Sequence, residues 1–130
     1  MKKITVIIVL LALTLSLAGC GNSVSVGGFS SKYLDSDDYD AAVQELMNHF
    51  DGLSGCTLKK VGYAGDKTVK EEANARGLGT ERIIVLTSTF ETDGTPREDG
   101  LESNKTYEDY RWILTRGTAS DPFWEIVEQG

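Results

Sequence analysis

Few side chains in the sequence suit nucleophilic or metal chemistry: one histidine, His49, and two cysteines, Cys20 and Cys56. A Ser-His-Asp or Cys-His mechanism would have to use His49, and a zinc site would have only His49 and Cys56 as soft ligands. His49 falls in the last turn of a predicted helix, where the helix dipole favours a partly charged imidazole. We therefore predict a structural role for His49 and a buried, unreactive thiol at Cys56, with no catalytic residue, metal or cofactor.

Two other segments contain patterns associated with ligand binding. Segment 77–80, Gly-Leu-Gly-Thr, has a G-x-G spacing, but it follows a predicted helix, whereas a dinucleotide loop follows a strand. Segment 91–109 concentrates carboxylates that would suit calcium, a hard ion that prefers oxygen ligands. They are Glu91, Asp93, Glu98, Asp99, Glu102 and Asp109. Their spacing does not match an EF-hand, and Arg97 and Lys105 interrupt them, so a solvated, mobile hairpin loop is favoured and calcium binding is left open.

Cys20 ends an apolar segment at the N-terminus. Two lysines precede the run 4–18, which as a helix would span about 22 Å, short of the ~30 Å hydrocarbon core of a bilayer. A basic start, an apolar stretch of this length and small residues at its end are typical of a secretory signal. The closing segment 17–20, Leu-Ala-Gly-Cys, resembles the lipobox of bacterial lipoproteins at all four positions.

The lipobox resemblance implies a defined chemistry at Cys20. In lipoproteins a diacylglyceryl group joins the cysteine sulfur as a thioether, and a signal peptidase that recognises the preceding residues, here Leu17, Ala18 and Gly19, cleaves before the cysteine. The thiolate is the natural nucleophile, and two acyl chains such as palmitate suffice for anchoring without a spanning helix. We expect residues 1–19 to be a signal peptide and Cys20 to hold the mature chain at the outer face of the bacterial cytoplasmic membrane.

The charge of the mature chain excludes some partners. Residues 1–19 contain two lysines and no acid, so the rest carries 11 basic and 20 acidic side chains, a net charge of −9. This charge argues against nucleic acid, which requires a basic surface, and against electrostatic attachment to anionic lipid heads. If lipid blocks Cys20, Cys56 has no disulfide partner in the chain, and the fold must depend on its hydrophobic core.

Composition divides the mature chain into two parts. Residues 20–31 are rich in glycine and serine and are predicted to form a flexible, lipid-anchored tether, which leaves 32–130 as a single small domain. Helices are predicted at 35–52, with a continuous apolar stripe, and at 68–77, with little apolar surface. The expected N-terminal caps are Ser36 or Asp37 for the first helix and a capping box of Thr68 and Glu71 for the second.

Four strands are predicted, at 56–65, 82–92, 106–117 and 122–129. The last three follow one another without a helix, which indicates an antiparallel sheet and an α+β fold with the order α-β-α-β-β-β. We expect a curved four-stranded antiparallel sheet with the first helix packed on one face. Alternate residues on both sides of strand 82–92 are apolar, so the second face should be covered by another layer, line a pocket or contact a partner.

An aromatic set lies on the last two predicted strands, which we expect to be neighbours in the sheet. Most of its members should pack in the core or across strands. The alternative is that Tyr110, Trp112 and Trp124 line a hydrophobic pocket or an interface.

The domain also shows a family resemblance. A capped helix, the strand start Gly-Cys-Thr-Leu at 55–58, a short helix with Glu-Glu-Ala at 71–73 and the aromatic strands at 112–117 and 123–130 together resemble an uncharacterised domain common in lipoproteins of Gram-positive bacteria. The chain also resembles the nuclear-transport-factor-2-like or cystatin-like roll, in which a curved antiparallel sheet wraps a helix. The lipoprotein resemblance implies export and a fold, but that family has no established activity from which a catalytic residue could be transferred.

These observations predict a non-enzymatic, lipid-anchored extracytoplasmic domain that binds an envelope protein or a small ligand through one sheet face. The alternative is a small-molecule pocket enzyme or ligand-binding protein of the nuclear-transport-factor-2-like class. Such an enzyme would need an inward carboxylate with a raised pKa beside aromatic residues. A third hypothesis is an envelope accessory with a purely structural role.

Overall fold

The computed structural model describes residues 24–130, so the predicted signal peptide and the first residues of the tether lie outside it. The described elements are β1 (Ser25–Val26), α1 (Ser36–Asp51), β2 (Cys56–Tyr63), α2 (Asp66–Arg76), a 3-10 turn (Thr80–Arg82), β3 (Ile83–Thr92), β4 (Thr106–Thr115) and β5 (Glu125–Gln129). The predicted α+β class is confirmed. Within residues 24–130, no helix is long and apolar enough to cross a bilayer.

α1 begins at a reciprocal pair of carboxylates. The N-cap is Asp35, not Ser36 or Asp37 as predicted: its side chain accepts from the Asp38 amide at 2.9 Å, while the Asp38 side chain accepts from the Asp35 amide at 3.1 Å. A cap at Ser36 would place Tyr39 at the third helical position, where its side chain cannot return the bond. The pair satisfies two amides at once, so the helix starts after Asp35.

The sheet has five strands in the order β1-β2-β3-β4-β5 and is not closed. β1 pairs parallel with β2, and the other three pairs are antiparallel, so the prediction of four antiparallel strands is corrected to a five-stranded mixed sheet. The added strand comes from the predicted tether, where the Gly27 amide donates to the Val61 carbonyl at 2.8 Å. Two residues are too few to show the period-2 pattern of a strand, and their pairing depends on the edge that β2 offers.

α1 covers one face of the sheet and forms the main core with it. The side chains of β3 and β4 that face α1 belong to alternate residues, as the period of two along a strand requires. The buried members of this core include Tyr39, Val43, Leu46, Phe50, Ile84, Leu86, Phe90, Trp112 and Leu114. Their burial stabilises the fold, and within residues 24–130 Cys56 is free and forms no disulfide.

α2 covers part of the opposite face. Val69 and Ala73 are fully buried against Ile83, Val85 and Ile113, so a second layer accounts for the apolar residues predicted on this side. The helix follows β2 after two residues and starts without a side-chain cap, which means that the predicted capping box does not form. It ends as predicted at a glycine in the left-handed conformation, which lacks the Cβ that would clash there.

Candidate functional site

The structure places the three aromatic residues of the predicted pocket or interface mainly in the core. Trp112 is 1% exposed and Trp124 is 5% exposed, while Tyr110 is half-buried beside them. The indole nitrogen of Trp112 donates to Ser88 Oγ at 2.7 Å, and Ser88 donates to the Tyr110 carbonyl at 3.2 Å. These residues contribute packing and internal hydrogen bonds, and Trp112 and Trp124 offer little exposed surface to a ligand.

Trp124 is held by Arg116, a residue that the sequence analysis did not single out. The guanidinium lies 4.4 Å from the centroid of the Trp124 ring and 2.7 Å from the carboxylate of Asp38. It also donates to the carbonyls of Glu81, at 2.9 Å, and Asp121, at 3.2 Å. Arg116 thereby joins the start of α1, the turn before β3 and the loop before β5, a convergence of distant segments that has no sequence signal.

His49 and Cys56 both contact the main core, although Cys56 is half-buried and not fully buried as predicted. The His49 ring packs edge-on against Trp112, with 5.3 Å between ring centroids. Cys56 is half-buried beside the main core, and this burial raises the pKa of its thiol although Arg97 acts in the opposite direction. A thiol with a raised pKa is a poor nucleophile at neutral pH.

The acidic segment 91–109 includes the last residues of β3, the first residues of β4 and the hydrogen-bonded loop between them. Arg97 donates to the Asp99 carboxylate and to the Ser54 carbonyl, both at 2.6 Å, so the loop is fastened to the turn after α1. Thr92 Oγ1 donates to the Glu102 carbonyl at 2.6 Å. Among residues 24–130, no group of three or more His, Cys, Asp or Glu side chains is placed to hold a metal ion.

A serine, a tyrosine and an aspartate meet where the N-terminal segment crosses the start of α2, and we name this set the N-terminal clamp. Ser31 Oγ and Tyr63 Oη both donate to Asp66 Oδ1, at 2.6 and 2.5 Å, and the Lys32 amide donates to Oδ2 at 2.8 Å. Burial and the neighbouring carboxylate raise the pKa of Tyr63. A phenol that keeps its proton acts as a hydrogen-bond donor, and here Tyr63 and Ser31 donate to Asp66 and hold the N-terminal segment against the start of α2.

Part of the predicted tether is packed against the domain. Phe29 stacks on Tyr39 with 4.7 Å between ring centroids, and Tyr39 Oη donates to the Gly27 carbonyl at 2.9 Å. Residues 24–31 therefore contact the domain that the sequence places at 32–130. Cys20 and the recognition residues Leu17, Ala18 and Gly19 lie outside the described residues.

Replacing Asp66 with alanine is expected to loosen this N-terminal segment. Desolvation acts to raise the pKa of Asp66, but hydrogen bonds from Ser31 and Tyr63 outweigh it and lower the pKa below the ordinary 3.8. The contribution of Asp66 is thus present above the unfolded-state pKa and is lost as the pH falls through the folded-state pKa. Protection of the Gly27 amide against hydrogen exchange should fall about tenfold in the variant at neutral pH.

The matched control for this prediction is the same protein at low pH. After correction for intrinsic exchange rates, wild-type protection of Gly27 should drop below pH 4 by more than that of the Asp66→Ala variant, in which only other carboxylates such as Asp38 titrate. Equal protection in both proteins at neutral pH would contradict a fastening role for the clamp.

A surface groove lies between α1 and the edge strand β5, and we name it the α1–β5 groove. Its volume is about 410 Å³, and its lining residues are Glu45, His49, Glu125, Ile126, Val127, Glu128 and Gln129. Glu45 is half-buried, and neither it nor Glu125 makes an ion pair within residues 24–130. Glu128 is different, because Arg76 contacts its carboxylate.

Comparison with known proteins does not assign a family. No protein-family model, curated protein or solved structure matches this chain. The geometry of the described residues is therefore the basis for assigning the site.

Two exposed apolar side chains lie on β5 and in the loop before it, and the first of them lines the α1–β5 groove. Val127 is 44% exposed and Phe123, in the loop before β5, is 79% exposed. β5 is the last strand of the sheet, so its side away from β4 has no strand partner within the described residues. The sequence carried one usable signal for this site: the final strand of an antiparallel series commonly lies at a sheet edge.

Proposed function

We propose that this protein is an exported, lipid-anchored binding domain that holds a protein partner along the β5 edge. The observation that supports this proposal is the open edge itself, where unpaired backbone and the exposed Val127 adjoin the α1–β5 groove. Phe123 is also exposed, in the loop that leads into the strand. Edge strands with exposed apolar side chains are ready templates for pairing with another chain.

The lipobox and the sheet order together favour an outward-facing β5. We propose that Cys20 carries the diacylglyceryl group, as the Leu-Ala-Gly-Cys motif indicates, and that the chain belongs with the Gram-positive lipoprotein domains that it resembles. The five residues from Cys20 to Ser25 can extend at most about 17 Å, which keeps β1 near the membrane. β5 lies four strand spacings away, about 19 Å, on the opposite edge of the sheet.

A binding role accounts for the polar side chains better than catalysis does. The Asp66 carboxylate accepts hydrogen bonds from Ser31 and Tyr63, and Asp38 pairs with Arg116. The pKa values of these carboxylates are lowered, whereas a general base facing an apolar pocket needs a raised one. Desolvation and the nearby Asp37 raise the pKa of Asp40, but Asp40 is an exposed residue that does not line the α1–β5 groove. The α1–β5 groove is also an open cleft, which suits contact with a macromolecule.

Site-specific photo-crosslinking tests the proposed edge. With a photoreactive residue in place of Val127, the membrane-anchored protein in its native envelope is expected to form adducts with another envelope protein. Val26 is the matched control, because it is a similarly exposed valine (47%) on the opposite, membrane-proximal edge. It should give far fewer protein adducts.

Two results would overturn the proposal. Equal protein adducts from positions 127 and 26 would show that β5 is not a preferred contact. An absence of protein adducts at position 127, with adducts elsewhere on the domain, would move the binding surface away from this edge.

A further inference from the structure

β5 presents backbone groups that point away from the sheet. Arg111 and Gly130 exchange two backbone hydrogen bonds, at 3.1 and 2.9 Å. Because backbone groups alternate in direction along a strand, the N–H and C=O of the neighbouring Gln129 face outward from β4. An extended chain can use these groups to add as a sixth strand.

The groove beside this edge carries negative charge that is only partly compensated, since Arg76 contacts Glu128 but neither of the other two glutamates that line it. Glu45 and Glu125 line it, and within residues 24–130 neither carboxylate lies in an ion pair. Glu45 is a half-buried residue of α1 that lines the groove. A positively charged side chain on the added strand would remove this imbalance.

The same charges argue against a second copy as the occupant. β5 and the residue after it, Glu-Ile-Val-Glu-Gln-Gly, contain two glutamates and no lysine or arginine. Pairing two β5 strands would bring carboxylates from both copies together, and each copy would also add its own Glu45. Like charges opposed across strands are destabilising, so charge complementarity selects a basic partner.

We propose that the β5 edge and the α1–β5 groove bind an extended, positively charged segment of another protein as a sixth strand. Basic residues of the segment meet Glu45 on the α1 side of the edge and Glu125 on the other side, while β-branched apolar residues pack on Val127. Glu125 points away from α1 because the adjacent Ile126 packs on the main core. This inference rests on the proposed function and adds the conformation and charge of the partner.

The test uses the full-length lipidated protein in phosphatidylcholine nanodiscs, whose lipid has no net charge. The probe is a ten-residue peptide of alternating lysine and valine with blocked ends, and its binding is measured by isothermal calorimetry. A peptide with glutamate in place of lysine should bind at least about tenfold more weakly, because its charge repels the groove. Binding of the lysine peptide should also weaken as salt is raised from 0.1 M to 1 M.

Two variants separate the backbone contribution from the charge contribution. Gln129→Pro removes an outward N–H without removing a hydrogen bond to β4 and should raise the Kd at least about tenfold, while Gln129→Ala keeps that N–H and should bind normally. The double variant Glu45→Gln/Glu125→Gln should raise the Kd about tenfold. Its control, Glu71→Gln/Glu98→Gln, removes two exposed charges elsewhere and should leave the Kd unchanged.

The outcomes distinguish this inference from the proposed function. Equal binding of the lysine and glutamate peptides, or a normal Kd in Gln129→Pro, would overturn it. If neither peptide binds, the glutamates would serve only to prevent pairing at this edge, and the inference would be overturned. Dimerisation of the protein through β5 would also overturn it. If position 127 still crosslinks to an envelope protein in those cases, the proposed function stands and only the charge and conformation of the partner are wrong.

Discussion

Replacing Arg116 with alanine is expected to lower the free energy of unfolding by about 3 kcal/mol. Removing one partner of a buried ion pair costs about 3–5 kcal/mol, because the remaining charge loses its compensation. The lower end applies here, since the side chain of Asp38 is 21% exposed and that of Arg116 only 4%. Urea unfolding of the detergent-solubilised protein, followed by tryptophan fluorescence, measures the change because Trp124 is buried against Arg116.

Two further variants show whether the loss comes from the contacts of Arg116 or from charge in general. Arg111→Ala removes an arginine whose side chain is 48% exposed and lies 3.7 Å from Glu72, and it should cost less than about 1 kcal/mol. Arg116→Lys keeps the charge but loses the planar fork that reaches several oxygens, so its stability should fall between Arg116→Ala and the wild type. A loss in Arg116→Ala no larger than in Arg111→Ala would contradict the central role given to Arg116.

Replacing Cys20 with alanine is expected to abolish lipidation completely. Without the sulfur there is no thioether, and the peptidase that acts on the lipidated motif loses its substrate. Incorporation of labelled palmitate should fall to background, and mass spectrometry should find residues 1–19 still attached. In the wild type, mass spectrometry should find a mature chain that begins at Cys20 and carries a diacylglyceryl group.

Cys56 is the matched control for this prediction, since it is the other cysteine of the chain and is half-buried in the domain. Cys56→Ala should incorporate palmitate at the wild-type level. An unmodified Cys20 in the native protein, with the leader still joined to it, would refute both the anchor and the proposed location.

Several features of the fold are predictable because they depend on local chemistry. The apolar stripe of α1 and the alternation in β3 give the elements and the residues that face the main core. Gly77 ends α2 because a left-handed residue is needed there. The starts of the helices were less predictable, since Asp35 and Gly65 compete as caps with nearby residues of similar propensity.

The candidate site is mostly invisible in the sequence because its parts are distant in the chain. Glu45 of α1 and Glu125 of β5 line one groove only after α1 has packed across the sheet. Tyr110, Trp112 and Trp124 attract attention as aromatic residues, but their side chains complete the core and its rim. Burial of an aromatic residue depends on which element covers its strand, and the local sequence does not identify that element.

By itself, the sequence determined the α+β class, the faces of the strands and, through a resemblance at Leu-Ala-Gly-Cys, a predicted lipid anchor. These features depend on residues close together in the chain, so periodicity and short motifs are enough to predict them. Only the tertiary structure decided that residues 25–26 form a strand, that Arg116 joins three segments and that β5 has an open, acidic edge. Each of these arises when segments far apart in sequence meet, because hydrogen bonding, burial and charge are then set by neighbours in space.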